Sequence, residues 1–109
     1  GLETYCIAPV GVPSHLTRGN PDPFRTTLPN NPWDEASFQL AARVHNQMLV
    51  NCRMEDRGVR RVRFMTVIKG QKRPAILVEG GYLSNPTEAR KINTAEYRQK
   101  LAEGIAAAL

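Results

Sequence analysis

The sequence predicts an α/β fold, and three stretches carry the prediction. Ala75, Ile76, Leu77 and Val78 run without a polar interruption and end on Glu79, the pattern of a strand buried on both faces of a sheet. Leu40, Ala41, Val44, Met48 and Cys52 recur at three- and four-residue steps, the apolar stripe of an amphipathic helix. Tyr97, Leu101, Ile105 and Leu109 repeat at four-residue steps. With 109 residues the chain suffices for one core but not for two domains. A hydrophobic content of 41% with few aromatics suits sheet and helix layers packed with aliphatic side chains.

Taken in order, Glu3 to Ala8 reads as a short strand. Residues 9–33 hold six prolines (Pro9, Pro13, Pro21, Pro23, Pro29 and Pro32) and read as an irregular excursion. Excursions of that length inside a compact domain are usually functional or mobile, so an ordered loop beside a binding groove or a flexible flap is expected. Asp34 to Met54 reads as a helix, with Asp34 and Glu35 in its first turn, where carboxylates favour the positive end of the dipole. Phe64 to Ile68 reads as a second strand and Ala75 to Glu79 as a third, joined by a tight turn or short loop from Lys69 to Pro74. All three are expected in one sheet, with Ala75 to Val78 at its centre because it alone lacks polar alternation. Asn85, Pro86 and Glu88 have the spacing of a helix start, and Asn93 with Glu96 repeats that logic before Tyr97. The last helix is expected to close over the strand ending at Glu79 and to fix where that carboxylate points.

Glu79 is the first functional candidate. An ionised carboxylate is costly to bury without a partner, and ligands in open α/β sheets bind just beyond the carboxyl ends of strands. Gly80 and Gly81 leave the backbone free to turn sharply there. The plainer reading makes Glu79 a helix cap or the partner of an arginine, and position alone leaves both readings open. A catalytic metal site needs three converging protein ligands. His15 lies in a proline-rich loop, and His45 has no His, Cys or carboxylate at ligand spacing on its helix face. Both read as loop or helix-surface residues, and neither is assigned to a metal. Cys6 and Cys52 read as small buried hydrophobes. No apolar run reaches membrane length.

The stretch from Pro74 to Pro86 (Pro-Ala-Ile-Leu-Val-Glu-Gly-Gly-Tyr-Leu-Ser-Asn-Pro), with Glu88 shortly after, resembles the C-terminal signature of the zinc-dependent N-acetylmuramoyl-L-alanine amidases, the amidase-3 family. Gly1 to Tyr5, Ser37 to Leu49, Asp56 to Val59, Phe64 to Lys69 and Tyr97 to Ala107 resemble further family segments in the right order; residues 9–33 do not. The resemblance implies a three-layer α/β/α sheet with flanking helices, of which residues 1–109 form the C-terminal part of a larger mixed-sheet catalytic domain. It implies a peptidoglycan hydrolase of the bacterial cell envelope that cleaves the amide between N-acetylmuramic acid and L-alanine. Glu79 would be its catalytic acid/base. The zinc ligands would lie upstream of Gly1, so this segment by itself is expected to be inactive. Tyr82 stands where the family more often has Phe, and Lys69 where Arg often ends the preceding strand. Lys removes bidentate geometry at that position.

Two other function classes frame the expectation. A non-catalytic relative that binds cell-wall glycopeptide would keep the fold without the chemistry. The net charge of +5, concentrated in Arg53, Arg57, Arg60, Arg61, Arg63, Lys69, Lys72 and Arg73, could serve nucleic-acid binding through phosphates. That run lacks interleaved stacking aromatics, so a solvated basic edge or attraction to an anionic envelope polymer is expected instead, with no nucleic-acid partner.

Overall fold

Three strands form one mixed sheet in a computed structural model that describes residues 1–109. β1 (Leu2–Ile7) is central, β2 (Asp56–Val62) runs parallel along one side, and β3 (Leu77–Glu79) runs antiparallel along the other. The α/β class is as the sequence predicts, but two features of the sheet differ.

The central strand is β1, not Ala75–Val78, which is half-buried at an edge. Every residue of β1 is buried despite Glu3, Thr4 and Tyr5. Burial of polar groups is tolerable when each finds a hydrogen-bond partner, and these do. Thr4 Oγ1 lies 2.9 Å from His45 Nδ1, while Glu3 and Tyr5 bond to one another.

The second strand precedes the predicted one. Phe64–Ile68 is not a strand; Thr66–Lys69 forms a single helical turn (α2) that buries Ile68. β2 instead uses the charged segment Asp56–Val62. Its register against β1 shifts between Leu2 and Thr4, beside Gly58 at φ 86°, the irregularity of a bulge. Patterning missed the strand because its arginines are directed to partners rather than alternated against a core.

α1 (Asp34–Cys52) follows a short 3-10 turn, Asn31–Trp33, and ends on Arg53 in the left-handed region, φ 50°. α3 (Pro86–Ile92) starts as expected: the Asn85 side chain accepts from the Thr87 and Glu88 N–H groups at 3.0 and 3.2 Å. α4 (Ala95–Ala108) is capped by Thr94, whose hydroxyl accepts from Tyr97 N–H at 3.2 Å. Asn93, expected in that role, instead ends α3.

α1 and α4 cover one face of the sheet through Leu2, Val44, Met48, Cys52, Tyr97 and Ala108. On the opposite face Tyr5, Ile7, Val62 and Ile68 pack under Leu16 and Leu28 of the excursion. Residues 9–33 contain no regular element beyond the 3-10 turn, as their prolines predict. They are nevertheless tied down. Buried Arg63 donates to the carbonyls of Pro9 and Val12, to Ser14 Oγ and to Asp22 Oδ1. No helix is long and apolar enough to cross a membrane.

Candidate active site

The antiparallel pairing of β1 with β3 sets Glu3 directly opposite Glu79. Directly paired residues project to the same side of a sheet, so both carboxylates share the face of Tyr5 and Leu77, away from α1 and α4. Glu3 is only 2% exposed. Its Oε1 accepts from the Tyr5 hydroxyl and, at 2.5 Å, from the Tyr82 hydroxyl. Its Oε2 accepts from Arg60 Nε at 3.2 Å. Arg18, reaching in from the excursion, has Nη2 at 3.6 Å from Oε1 and donates to the Tyr5 oxygen.

These partners fix the charge state. Burial alone pushes the Glu3 carboxyl up, but hydrogen bonds from Tyr5, Tyr82 and Arg60 outweigh it, and the net shift is downward. The Tyr82 phenol is pushed up to about 12, first by burial and then by hydrogen bonding to Glu3 and Glu79. Tyr5 is raised by burial and by the same Glu3 carboxylate. Glu3 therefore stays ionised and both phenols stay protonated at neutral pH.

Glu79 is half-buried at the end of β3. Neither plainer reading of it is formed. The helix N-caps are other residues. Arg63 pairs with Asp22, and the Arg57 guanidinium lies over the Tyr82 ring, 4.8 Å from its centroid.

The turn after Glu79 is locked from two sides. A Cβ on Gly80 would stand 2.5 Å from Leu101 Cδ2 of α4, and Gly81 adopts φ 142°, where a Cβ would stand 2.9 Å from Ile92 Cδ1 of α3. Tyr97 of α4 donates to the Gly80 carbonyl at 2.6 Å. Buried Glu88 of α3 accepts from Tyr82 N–H at 2.9 Å. The closing helices thus position the residues that follow the carboxylate. Two cavities flank this turn: a polar one of about 470 Å3 beside Arg57, Tyr82, Ser84 and Glu88, and an apolar one of about 320 Å3 beside Gly81, Leu83 and Leu101.

Glu3, Tyr5, Arg18, Arg60 and Tyr82 are the neighbours that sequence reasoning did not assign to the site. Glu3 and Tyr5, two apart on a short strand, carried the available signal: a carboxylate and a phenol on one face.

His45 corrects the surface expectation. It is 3% exposed and bridges Thr4 to Asp56, with Nε2 at 2.7 Å from Asp56 Oδ1. His15 is a loop residue as expected, and its Nδ1 accepts from Arg61 N–H at 2.9 Å. No three His, Cys, Asp or Glu side chains cluster to hold a metal ion. Both cysteines are free and buried, and burial pushes Cys6 up to about 11. Much of the basic run has partners within the chain: Arg60 has Glu3, Arg63 has Asp22, and Arg57 and Arg61 lie over the rings of Tyr82 and Phe38.

The amidase-3 family model, described as N-acetylmuramoyl-L-alanine amidase, matches residues 1–109, and the chain belongs to that family. It is 36% identical over 69 residues to N-acetylmuramoyl-L-alanine amidase LytC of Bacillus subtilis (strain 168), covering 63% of this chain and 14% of that protein. It is 37% identical over 70 residues to N-acetylmuramoyl-L-alanine amidase AmiA of Escherichia coli (strain K12), covering 64% of this chain and 24% of that protein. The crystal structure of N-acetylmuramoyl-L-alanine amidase from Clostridium difficile 630 superposes with a TM-score of 0.68 at 28% identity, covering 99% of this chain and 45% of that one. The chain therefore spans less than half the length of each of these relatives.

Proposed function

We propose that residues 1–109 are the C-terminal portion of a catalytic domain that cleaves the amide between N-acetylmuramic acid and the L-alanine of the peptidoglycan stem peptide. The observation that carries the reading is Glu79: a carboxylate in no ion pair, at a strand end, within a family match that runs the whole length of the segment. Amide hydrolysis needs a proton taken from the attacking water and a proton delivered to the departing nitrogen. One positioned carboxylate can do both in turn, and we assign that role to Glu79. The substrate would place the protein in the bacterial cell envelope.

The residues of this segment do not make a metal site, since His15 and His45 are engaged elsewhere. The reading assigns zinc to ligands outside residues 1–109; zinc so held supplies Lewis acidity to the amide carbonyl and to water. The proton steps remain those of Glu79.

The test is Glu79→Gln in the full-length protein, assayed by release of stem peptide from purified peptidoglycan. The reading expects unchanged folding and zinc content with activity lowered by about 10²–10⁴-fold. A loss of only a few-fold would assign Glu79 a structural role. Wild-type protein that binds peptidoglycan without cutting it would establish a binding module instead.

A further inference from the structure

Between the excursion and the segment that follows β2 lies a cavity of about 330 Å3 whose charge is one-sided. Arg63 and Lys69 line it with Asn20, Leu28, Phe64 and Thr66, and no carboxylate does. Arg63 is 4% exposed. Its two terminal nitrogens are taken up by Asp22, Ser14 and the carbonyls of Pro9 and Val12, but its Nε is buried with no partner. Buried donors are nearly always satisfied, so this one stands ready for an acceptor. Asp22 balances the Arg63 charge, whereas the Lys69 ammonium enters no ion pair within the chain. The cavity thus combines one unmatched positive charge with one unfilled donor.

Phe64 ties this cavity to the candidate site. The Arg18 guanidinium lies over the Phe64 ring, 5.5 Å from its centroid, and puts Nη2 3.6 Å from Glu3 Oε1. Glu3 faces Glu79 across the ladder. A single guanidinium therefore separates the wall of the cavity from the facing carboxylates, and two or three residues of extended peptide span about 7–10 Å.

We propose that this cavity is a subsite for a free carboxylate of the stem peptide, carried two or three residues beyond the scissile amide. The inference rests on Glu79 marking the point of cleavage. Lys69 supplies the charge and Arg63 Nε a hydrogen bond, and a carboxylate can accept from both at once. A carboxamide in its place would set its own donors against the ammonium. Because Asp22 already balances Arg63, the choice between the charged and the amidated peptide falls to Lys69.

The experiment uses the full-length protein and calorimetric titration with two free stem peptides, one bearing the carboxylate and one the carboxamide. Neither contains the scissile amide, so binding is read without hydrolysis. The carboxylate peptide is expected to bind about 10- to 100-fold more tightly, the scale of a hydrogen-bonded charge. Lys69→Met should shrink that ratio below about threefold, and Lys69→Arg, which keeps the charge, should retain most of it. The Lys69 side chain has no partner to lose, whereas replacing Arg63 would disturb the excursion. Equal binding of the two peptides by wild type, or a preference that survives Lys69→Met, would overturn the proposal. So would glycerol phosphate that binds more tightly than either peptide, which would give the site to an anionic wall polymer. Hydrolysis of purified peptidoglycan, measured alongside, keeps the two readings apart. Cleavage without peptide discrimination would remove only the subsite, and discrimination without cleavage would remove only the amidase reading.

Discussion

Arg63 and Asp22 form an ion pair at 2.8 Å, with the guanidinium side chain 2% exposed and the carboxylate 19% exposed. Arg63 directly follows β2, whereas Asp22 lies in the middle of the proline-rich excursion. Because the same guanidinium also reaches the Pro9 and Val12 carbonyls and Ser14 Oγ, a segment without helix or strand is shaped around one cation. Hydrogen bonds from the Ser14 backbone and side chain, followed by Arg63, hold the Asp22 carboxyl below its ordinary value. The excursion also delivers Arg18 to Glu3, so its shape bears on the candidate site.

Arg63→Met should therefore loosen the excursion as well as weaken the fold. Removing one partner of a buried ion pair costs about 3–5 kcal/mol. Urea denaturation should show the lower midpoint, and limited proteolysis should find new cleavage within residues 9–30. An unchanged midpoint together with an unchanged digest would show that Arg63 is not what holds the segment.

Gly81→Ala tests the turn after Glu79. A side chain at φ 142° is strained, and its Cβ would stand 2.9 Å from Ile92 Cδ1. The strain amounts to about 1–3 kcal/mol, and relief would move Tyr82. Thermal unfolding should register the loss and peptidoglycan hydrolysis should fall with it. A variant as stable and as active as wild type would show that the turn tolerates a side chain.

Gly104 marks the crossing of α4 over α1. A Cβ there would approach the Gln47 carbonyl oxygen at 3.1 Å and Met48 Cα at 3.2 Å. Glycine inside a helix ordinarily sacrifices about 1 kcal/mol relative to alanine, so the close approach of two backbones explains its presence. Gly104→Val should destabilise by about 1–3 kcal/mol through overpacking, read as a fall in the urea midpoint. A stabilised Gly104→Val protein would mean that the helices can part freely.

Acid should unfold the protein in a defined window. Glu3, with an ordinary value of 4.5, and Asp22 and Asp56, with an ordinary value of 3.8, are all lowered in the fold. Each binds its proton more weakly folded than unfolded, so the stabilisation is complete above about pH 4.5 and is lost as pH falls through the folded values. Urea midpoints should be level from pH 7 to 5 and drop below 4.5. Asp22→Asn should be less stable at pH 7 and lose less on acidification. A decline that begins above pH 6 would contradict the assignment.

The elements that sequence patterning located are those in which local chemistry and burial agree. α1 shows its stripe in Ala41, Val44 and Met48, and α3 shows its Asn85 cap and Pro86. β1 was legible as a strand but not as the central one, because Glu3, Thr4 and Tyr5 look half-exposed until their partners are known. Those partners, His45, Arg60 and Tyr82, are 41, 57 and 79 positions away from the residues they bond. β2 was hidden for a related reason: Arg57, Arg60 and Arg61 make it read as a charged loop, whereas their positions in a strand aim them at Tyr82, Glu3 and Phe38. Glu79 stood out because it ends an apolar run. The polar network beside it did not, since no periodicity reports a carboxylate paired across the chain.

The central place of β1 also governs when the site can come into being. Its two neighbours in the sheet are both later in the chain, and the one bearing Glu79 is paired to it across more than half of the chain. Closing so long a loop has an entropic cost before any contact rewards it. Residues 1–52 carry β1 and α1, but they hold only one carboxylate of the facing pair and none of the turn that Tyr97 fastens. The site is an all-or-none property of the finished segment, and a chain interrupted anywhere before α4 would lack it however well its earlier helix had formed.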